Sequence, residues 1–315
     1  WLSRRRHSFA DAVLNCAGND GVLRLVRDFT PDFILMEGPW FYELLPALRE
    51  GDARLILDAH NVETERFRQV WEDGADLEGM KRFLVRHKLA QLKRLEAAVG
   101  NAADQIWVCS RDDASRFRND LRCRSKIEVI PNAVELTRYG DIYRSRSKRT
   151  KREVPPALLY IGSYDYPPNR MAAEFMLDEI FPRLLSHFSS VRLDLIGDSP
   201  SDKMKKRTAE LPGVTLPGRI KDVRPYIEEA DLTIIPLRHG SGTRLKILEA
   251  FAAGLPVVTT RVGSEGIEAA DGTHLLLGET AEELADASIR VLSNPNLAGS
   301  LAAAARQLTE DRYSW

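Results

Sequence analysis

Short apolar runs, each ending at a polar or turn residue and each followed by a longer amphipathic stretch, recur along this chain in two series. The first series is FILMEG (33–38), RLILDAH (54–60), QIWVCS (105–110) and KIEVIPN (126–132). The second is ALLYIGS (157–163), VRLDLIGD (191–198), VTLPG (214–218), LTIIPL (232–237) and LPVVTT (255–260), with HLLLG (274–278) as a sixth. Runs this short and this apolar read as strands covered on both faces, and strands that alternate with helices pair in parallel. The fold class is therefore α/β, with two doubly wound parallel-sheet domains in tandem. Helices are expected over 169–188, 200–210, 221–229, 243–253 and 280–293 in the second series. In the first, a long helical stretch runs from 64 to 99 with a break near Asp73-Gly74. Ligands of such sheets collect at the carboxyl ends of the strands.

Between the two series lies YRSRSKRTKREVPP (143–156), with six basic residues and a stiff Pro-Pro end. It reads as an exposed linker. The expected organisation is a first domain over 1–142, the linker over 143–156, a second domain over 157–300, and a helical segment over 301–315 returning toward the first domain. A length of 315 residues suits two domains. No apolar stretch approaches the ~20 residues that cross a bilayer. WLSRRRHSFADAVLNCAG lacks the apolar core of a secretory signal. Cys16, Cys109 and Cys123 are odd in number and scattered, which indicates neither a disulfide framework nor a zinc cluster and fits a cytoplasmic protein. Charge is uneven: residues 1–152 carry 28 lysines and arginines against 23 acids, and residues 153–315 carry 17 against 23. A basic first half fits an anionic partner such as a membrane surface or an acidic glycan, or simply a solvated surface.

The stretch with the most chemistry is GSGTRLKILEAFAAGLPVV (240–258). A strand ending at Leu237 feeds a small-residue turn, and a helix starts near Thr243. Glycines there let backbone approach a ligand, and the free N–H groups of the helix start attract an anion. Lys246 and Glu249 share one face of that helix, ~4.5 Å apart along its axis. That spacing matches a nucleoside diphosphate: Lys246, with Arg244 assisting, would meet the diphosphate, and Glu249 the ribose 2′ and 3′ hydroxyls. An ordinary i,i+3 ion pair is the competing reading. The dinucleotide fingerprint fails because Leu245 stands at its third glycine, and no Gly-Lys-Ser/Thr of a P-loop occurs. No Asp-x-Asp closes an apolar strand, so no metal is expected.

These residues resemble glycosyltransferase family 4, retaining enzymes of the GT-B fold. The resemblance rests on GSGTRLKILEAFAAGLPVVTTRVGSEGI and extends to LLYIGSYDYPPN (158–169), LIGDSP (195–200), LPGRIKDVRPYIEEADLTIIPL (216–237), VIPNAVE (129–135) and LILDAHNVE (55–63). It implies two Rossmann-like domains facing a central cleft, the second holding a nucleotide-sugar donor. By position, Glu249 matches the second glutamate of the family's E-x7-E motif, expected on the ribose, while Ser241 stands where the first belongs. Many members place Arg after the glycine matching Gly162 and Lys several residues later. Here Ser163 and Asn169 stand near those places, followed by Arg170, and Arg244 and Lys246 are the candidates to replace the lost charge. Gly242 and Thr243 complete the donor turn, and Arg219-Ile220 matches the segment along the base. His60 in DAHN matches a histidine beside the transferred sugar.

The resemblance further implies sugar transfer to a glycan, lipid-linked or small-molecule acceptor, with retention and without a metal or other cofactor. No nucleic-acid partner is implied. The amphipathic stretch 79–99 carries Lys81, Arg82, Arg86, Lys88, Lys93 and Arg94, and could rest on anionic lipid at the inner face of a membrane. Its alternative is a solvated face. Family members begin with a strand and a glycine-rich loop that nothing before Phe33 supplies, so upstream sequence is expected. Two other functions fit the same residues: a sugar-nucleotide epimerase or phosphorylase, and a non-catalytic nucleotide-sugar-binding module, which the serine at 241 favours.

Overall fold

The computed structural model describes residues 19–69, 79–148, 155–240 and 242–315. The chain divides into two compact units at Pro131/Asn132.

The first unit is built on a four-stranded parallel sheet in the order β1 (Phe33–Glu37), β2 (Arg54–Ala59), β3 (Gln105–Val108), β4 (Lys126–Val129). Its helices include α1 (Asn19–Phe29), α2 (Glu63–Arg68) and α3 (Gly79–Ala102). The Asp73-Gly74 break expected in the long helical stretch lies outside the described residues, which resume at α3. Leu55, Leu57, Ile106 and Phe117 are fully buried between sheet and helices. At 24 residues α3 is the long element of this unit, and its second half supplies the buried Leu92, Glu96 and Val99. Its first two turns face solvent.

The second unit carries a six-stranded parallel sheet in the order β10-β9-β8-β5-β6-β7. Here β5 is Ala157–Ile161, β6 Arg192–Ile196, β7 Val214–Gly218, β8 Leu232–Ile235, β9 Val257–Thr259 and β10 Leu276–Leu277. All six strands expected from the second series are present. The chain starts in the middle of the sheet, builds outward through β6 and β7, then returns to the other side of β5. The order therefore reverses between β5 and β8, the crevice where open α/β sheets take ligands. Pro217 is tolerated because β7 is an edge strand. The helix expected over 169–188 runs as α5 (Pro167–Phe175), a π-turn at 176–180 and Phe181–His187. Next come α6 (Asp202–Glu210), α7 (Arg224–Glu229), α8 (Leu245–Ala252), α9 (Ala281–Ser293) and α10 (Pro295–Arg312). A capping box of Thr280 and Glu283 starts α9, and the Asn294 side chain starts α10.

The segment from 132 to 148 belongs to the second unit. It forms a 3₁₀ turn at Leu136–Tyr139 and the helix α4 (Gly140–Ser147). Val134, Tyr139 and Ile142 are buried in the second core. Residues 132–142, read from sequence as the end of the first domain, thus fold with the second. The first part of the basic stretch is helix, because apolar side chains on one face of α4 find a core to cover. Residues 149–154 lie outside the described ones. The carboxyl-terminal α10 packs on this same unit through Leu301 and Ala305, the following Tyr313 is buried in the same core, and Val134 pairs with Ser314.

Candidate functional site

The site is best built from α8, whose two ends are formed by different means. At its start the backbone must turn sharply after β8, and Gly240 and Gly242 take φ of 119° and 82°, a region open to glycine and strained for other residues. A Cβ on Gly240 would also come 2.9 Å from Arg244 Nη2. Arg244 occupies the N-cap with an extended backbone and no side-chain cap bond; Ile247 N donates back to Arg244 O at 2.9 Å, so among the described residues only the N–H groups of Leu245 and Lys246 at the start of α8 keep no helical or capping partner. Its guanidinium turns back to donate from Nη1 to Gly242 O at 2.9 Å. At the other end, Gly254 (φ +66°) closes the helix: Leu255 N donates to Ala250 O and Gly254 N to Phe251 O. This is a Schellman closure with buried Leu255 as its apolar contact and Pro256 preventing continuation. The GLP of the sequence is thereby explained. Arg306 Nη1 donates to Ala252 O at 2.6 Å and Arg146 Nε to Gly254 O at 3.1 Å, so two cations sit at the negative end of the helix.

Between those ends, Leu248 and Phe251 are fully buried, while Lys246 and Glu249 are half-buried. The two charges do not form an ion pair with each other. Lys246 Nζ donates to Asn169 Oδ1 at 3.0 Å and lies 4.7 Å from the centre of the Tyr160 ring. Glu249 Oε1 accepts from the Tyr139 hydroxyl at 2.9 Å. The i,i+3 ion pair that competed for these residues is replaced by two separate attachments.

Lys246 is held where β5 ends. A Cβ on Gly162 would stand 3.1 Å from Lys246 Nζ and 3.0 Å from Asn169 Cγ, so glycine lets the ammonium come against the strand end. Gly197, after β6, is still more constrained: a Cβ there would lie 1.8 Å from Gly162 O. Asn169 is the hub. Its Nδ2 donates to Ser163 O at 3.0 Å, and its Oδ1 receives Lys246 and, at 3.3 Å, the Tyr160 hydroxyl. Among the described residues the ammonium therefore has one neutral acceptor and an aromatic face in contact, and Glu249 acts on it only from a distance. Burial, reinforced by the nearby Arg244 charge, pulls its pKa down to about 7. An anion arriving here would restore the charged form. Thr243 Oγ1 is shielded and has no partner among the described residues.

Of the residues singled out from sequence, Gly162, Asn169 and Lys246 are thus in mutual contact, with Arg244 and Gly242 at the start of the same helix. Ser241 lies outside the described residues. Arg219 and Ile220 follow β7, two strands from β5, the first exposed and the second packed partly on the core.

A family model described as "Glycosyltransferase Family 4" matches residues 3–138, and one described as "Glycosyl transferases group 1" matches residues 155–294. Both models describe glycosyltransferases, and together they cover most of the chain. Its curated relatives include the phosphatidyl-myo-inositol mannosyltransferase of Mycolicibacterium smegmatis, 28% identical over 215 residues that make up 66% of this chain and 53% of that protein. The chain spans about half to three fifths of the length of the curated relatives it matches. Among solved structures, sucrose-phosphate synthase of Thermosynechococcus elongatus superposes with a TM-score of 0.71 at 19% identity, covering 94% of this chain and 73% of that one. HepE of Anabaena, in complex with UDP and glucose, superposes with a TM-score of 0.70 at 15% identity, covering 94% and 77%. At these identities the superpositions establish the fold: two parallel-sheet α/β domains of the GT-B type.

In the first unit, His60 follows β2 and is exposed, with Nε2 3.7 Å from Asp58 Oδ2. The loop it stands on is fixed from α3. Glu96, 1% exposed, accepts from Glu63 N at 2.7 Å and from Thr64 N and Thr64 Oγ1 at 3.1 and 2.7 Å. It thereby caps α2 from outside the helix. Burial is the main cause raising the Glu96 carboxyl to about 7, against the lowering effect of those bonds. Sequence reading missed Tyr139 and Tyr160, which hold Glu249 and Lys246. Both looked like core aromatics, which they also are. Their hydroxyl roles depend on partners 110 and 9 residues away, respectively.

Proposed function

We propose that this chain transfers a sugar from a nucleotide-diphosphate sugar to an acceptor, with retention and without a metal. The observation carrying this reading is the ammonium of the half-buried Lys246, held beside Gly162 and Asn169 at the switch point of the sheet. It is a cation with no carboxylate in contact among the described residues, one turn from an acid. In this reading Lys246, Arg244 and the uncapped start of α8 neutralise the diphosphate and assist its departure. Glu249 accepts the ribose hydroxyls, Arg219-Ile220 borders the base, and Gly162, Asn169, Ser241, Gly242 and Thr243 line the donor. His60 hydrogen-bonds the transferred sugar in the transition state. HepE holding UDP and glucose on the same fold is in keeping with such a donor.

The test is a panel of UDP-, GDP-, ADP- and dTDP-sugars, read first by thermal shift and then by release of the nucleoside diphosphate in the presence of EDTA. Stabilisation by one donor and EDTA-resistant release support the reading. If no nucleotide sugar raises the melting temperature, the donor assignment fails. Binding with neither release nor transfer points instead to a non-catalytic module. NMR of a transferred sugar's anomeric proton would read retention directly.

The acceptor is read as a glycan or a lipid-linked saccharide presented at a membrane. The first turns of α3 leave Met80, Phe83 and Leu84 72%, 65% and 43% exposed, interleaved with Lys81, Arg82 and Arg86. Apolar side chains set among cations suit an anionic lipid surface. No described helix is long and apolar enough to cross a membrane, so the contact would be peripheral. Work in the cytoplasm is consistent with the free, buried thiol of Cys123. Co-flotation with vesicles containing phosphatidylglycerol, lost in a Met80→Ser/Phe83→Ser variant, is the expected result. Failure of the wild type to float would remove the membrane contact and leave the donor site untouched.

A further inference from the structure

The glutamate of α8 is not left to rotate. Its Oε1 is fixed by Tyr139, a residue from the segment before β5 that is 2% exposed and embedded in the second core beside Val134 and Ile142. Among the described residues no donor reaches Oε2. The phenol can only give its proton here, because burial first, and the Glu249 charge with it, push its ionisation well above the usual range. A carboxylate offers about four acceptor positions over its two oxygens. With one taken by the hydroxyl, Oε2 and the remaining lone pair of Oε1 are left to a ligand, on a side chain whose last torsion is already set. Ordering a flexible side chain at binding costs free energy that such a fixed one avoids.

We propose that Tyr139 is a positioning residue for the donor's pentose: by pinning one oxygen of Glu249 it presents the other, already ordered, to the vicinal hydroxyls of a ribonucleoside diphosphate. This rests on the reading of Glu249 as the acceptor of the ribose hydroxyls. It goes beyond that reading in making discrimination between ribose and a pentose without those hydroxyls depend on a residue that touches no ligand. A tyrosine kept only to fill the core would affect every ligand alike.

The experiment is isothermal titration of the whole chain with the tightest-binding of UDP, GDP and ADP, and with the 2′,3′-dideoxy form of the same nucleotide. Wild type should bind the dideoxy form about tenfold or more weakly, the scale of losing hydrogen bonds to a charged group. Tyr139→Phe keeps the ring and its packing. It should weaken the ribonucleotide about three- to tenfold and leave the dideoxy form unchanged, so that the preference shrinks. If wild type shows no preference, the ribose reading of Glu249 is wrong. If wild type prefers ribose and Tyr139→Phe prefers it equally, or loses both ligands in parallel, Tyr139 is structural and the proposal falls. Should the variant fold poorly, the wild type answers by itself. The ¹³Cζ resonance of Tyr139 in tyrosine-labelled protein should move with the ribonucleotide and stay put with the dideoxy form; movement with neither overturns the proposal.

Discussion

Raising the pH should release the diphosphate, and Lys246 sets by how much. In the free protein its pKa lies at about 7, so it is about half charged at neutrality. A bound diphosphate supplies the missing counter-charge and pulls the bound-state pKa up to or beyond the ordinary lysine range. Binding then takes up a proton, and affinity follows the charged fraction of the free protein. That fraction falls from about one half at pH 7 to about one eleventh at pH 8 and one thirty-third at pH 8.5, a roughly fifteenfold loss of affinity over the interval. In energy this approaches about 1.4 kcal/mol for each tenfold step. The diphosphate itself is fully ionised by pH 7.5, so its own titration adds little. Titration calorimetry in HEPES and in Tris, whose ionisation enthalpies differ, would report close to one proton bound per nucleotide at pH 8. Lys246→Met should bind more weakly at pH 7 and lose the pH dependence. A wild-type affinity that changes less than twofold between pH 7 and 8.5, with no buffer-dependent heat, would refute the placing of the phosphates on Lys246.

Three further outcomes follow from the packing. Gly197→Ala should cost about 3 kcal/mol or more, since the new methyl meets Gly162 O and the ends of β5 and β6 must part; urea unfolding within 1 kcal/mol of wild type would contradict the strand-end geometry. Arg146→Ala should lose about 2–4 kcal/mol, because the guanidinium serves Gly254 O, Ile227 O, Glu228 O and Ala230 O at once. Arg146→Lys should recover less than half of that loss in the same melt, a single ammonium being unable to reach both groups. Glu96 gives a pH signature of opposite sign to most carboxylates. Its folded pKa of about 7 lies above the ordinary 4.5, so its contribution is fully present below pH 4.5 and is lost as pH rises to 7. Glu96→Gln should therefore gain on wild type by on the order of 2 kcal/mol between pH 5 and pH 8; a gap equal at both pH values would show that Glu96 is not the titrating group.

Much of this was readable from the chain. All ten apolar runs became strands, the central ones buried on both faces and the edge strands β1, β4 and β7 exposed on one side. The GLP after the helix fits its closure, because a Schellman turn needs a glycine, an apolar residue and a stop in that order. The boundary between the units was harder. Basic composition over 143–156 advertised solvent, yet Tyr139 and Ile142 just before it and Arg146 within it turn one side of 139–146 into structure. Three contacts spaced along a polar segment make too weak a periodicity to outweigh six charges. At the site, Lys246 and Glu249 were visible because helical spacing puts them on one face. What each is bonded to was not, since no local pattern ties residue 249 to residue 139. Likewise the lysine's depressed pKa comes from the surroundings that Asn169, Tyr160 and Gly162 create only when β5 meets α8.

The place where the chain divides has a practical corollary for anyone exchanging halves between related enzymes. Because Tyr139 and Arg146 fold with the second sheet, a chimera joined at Ala157 would strip Glu249 of its hydroxyl partner and the tail of α8 of one of its two arginines. The natural splice lies at Pro131–Asn132, and a second unit transplanted from there carries its own supports with it.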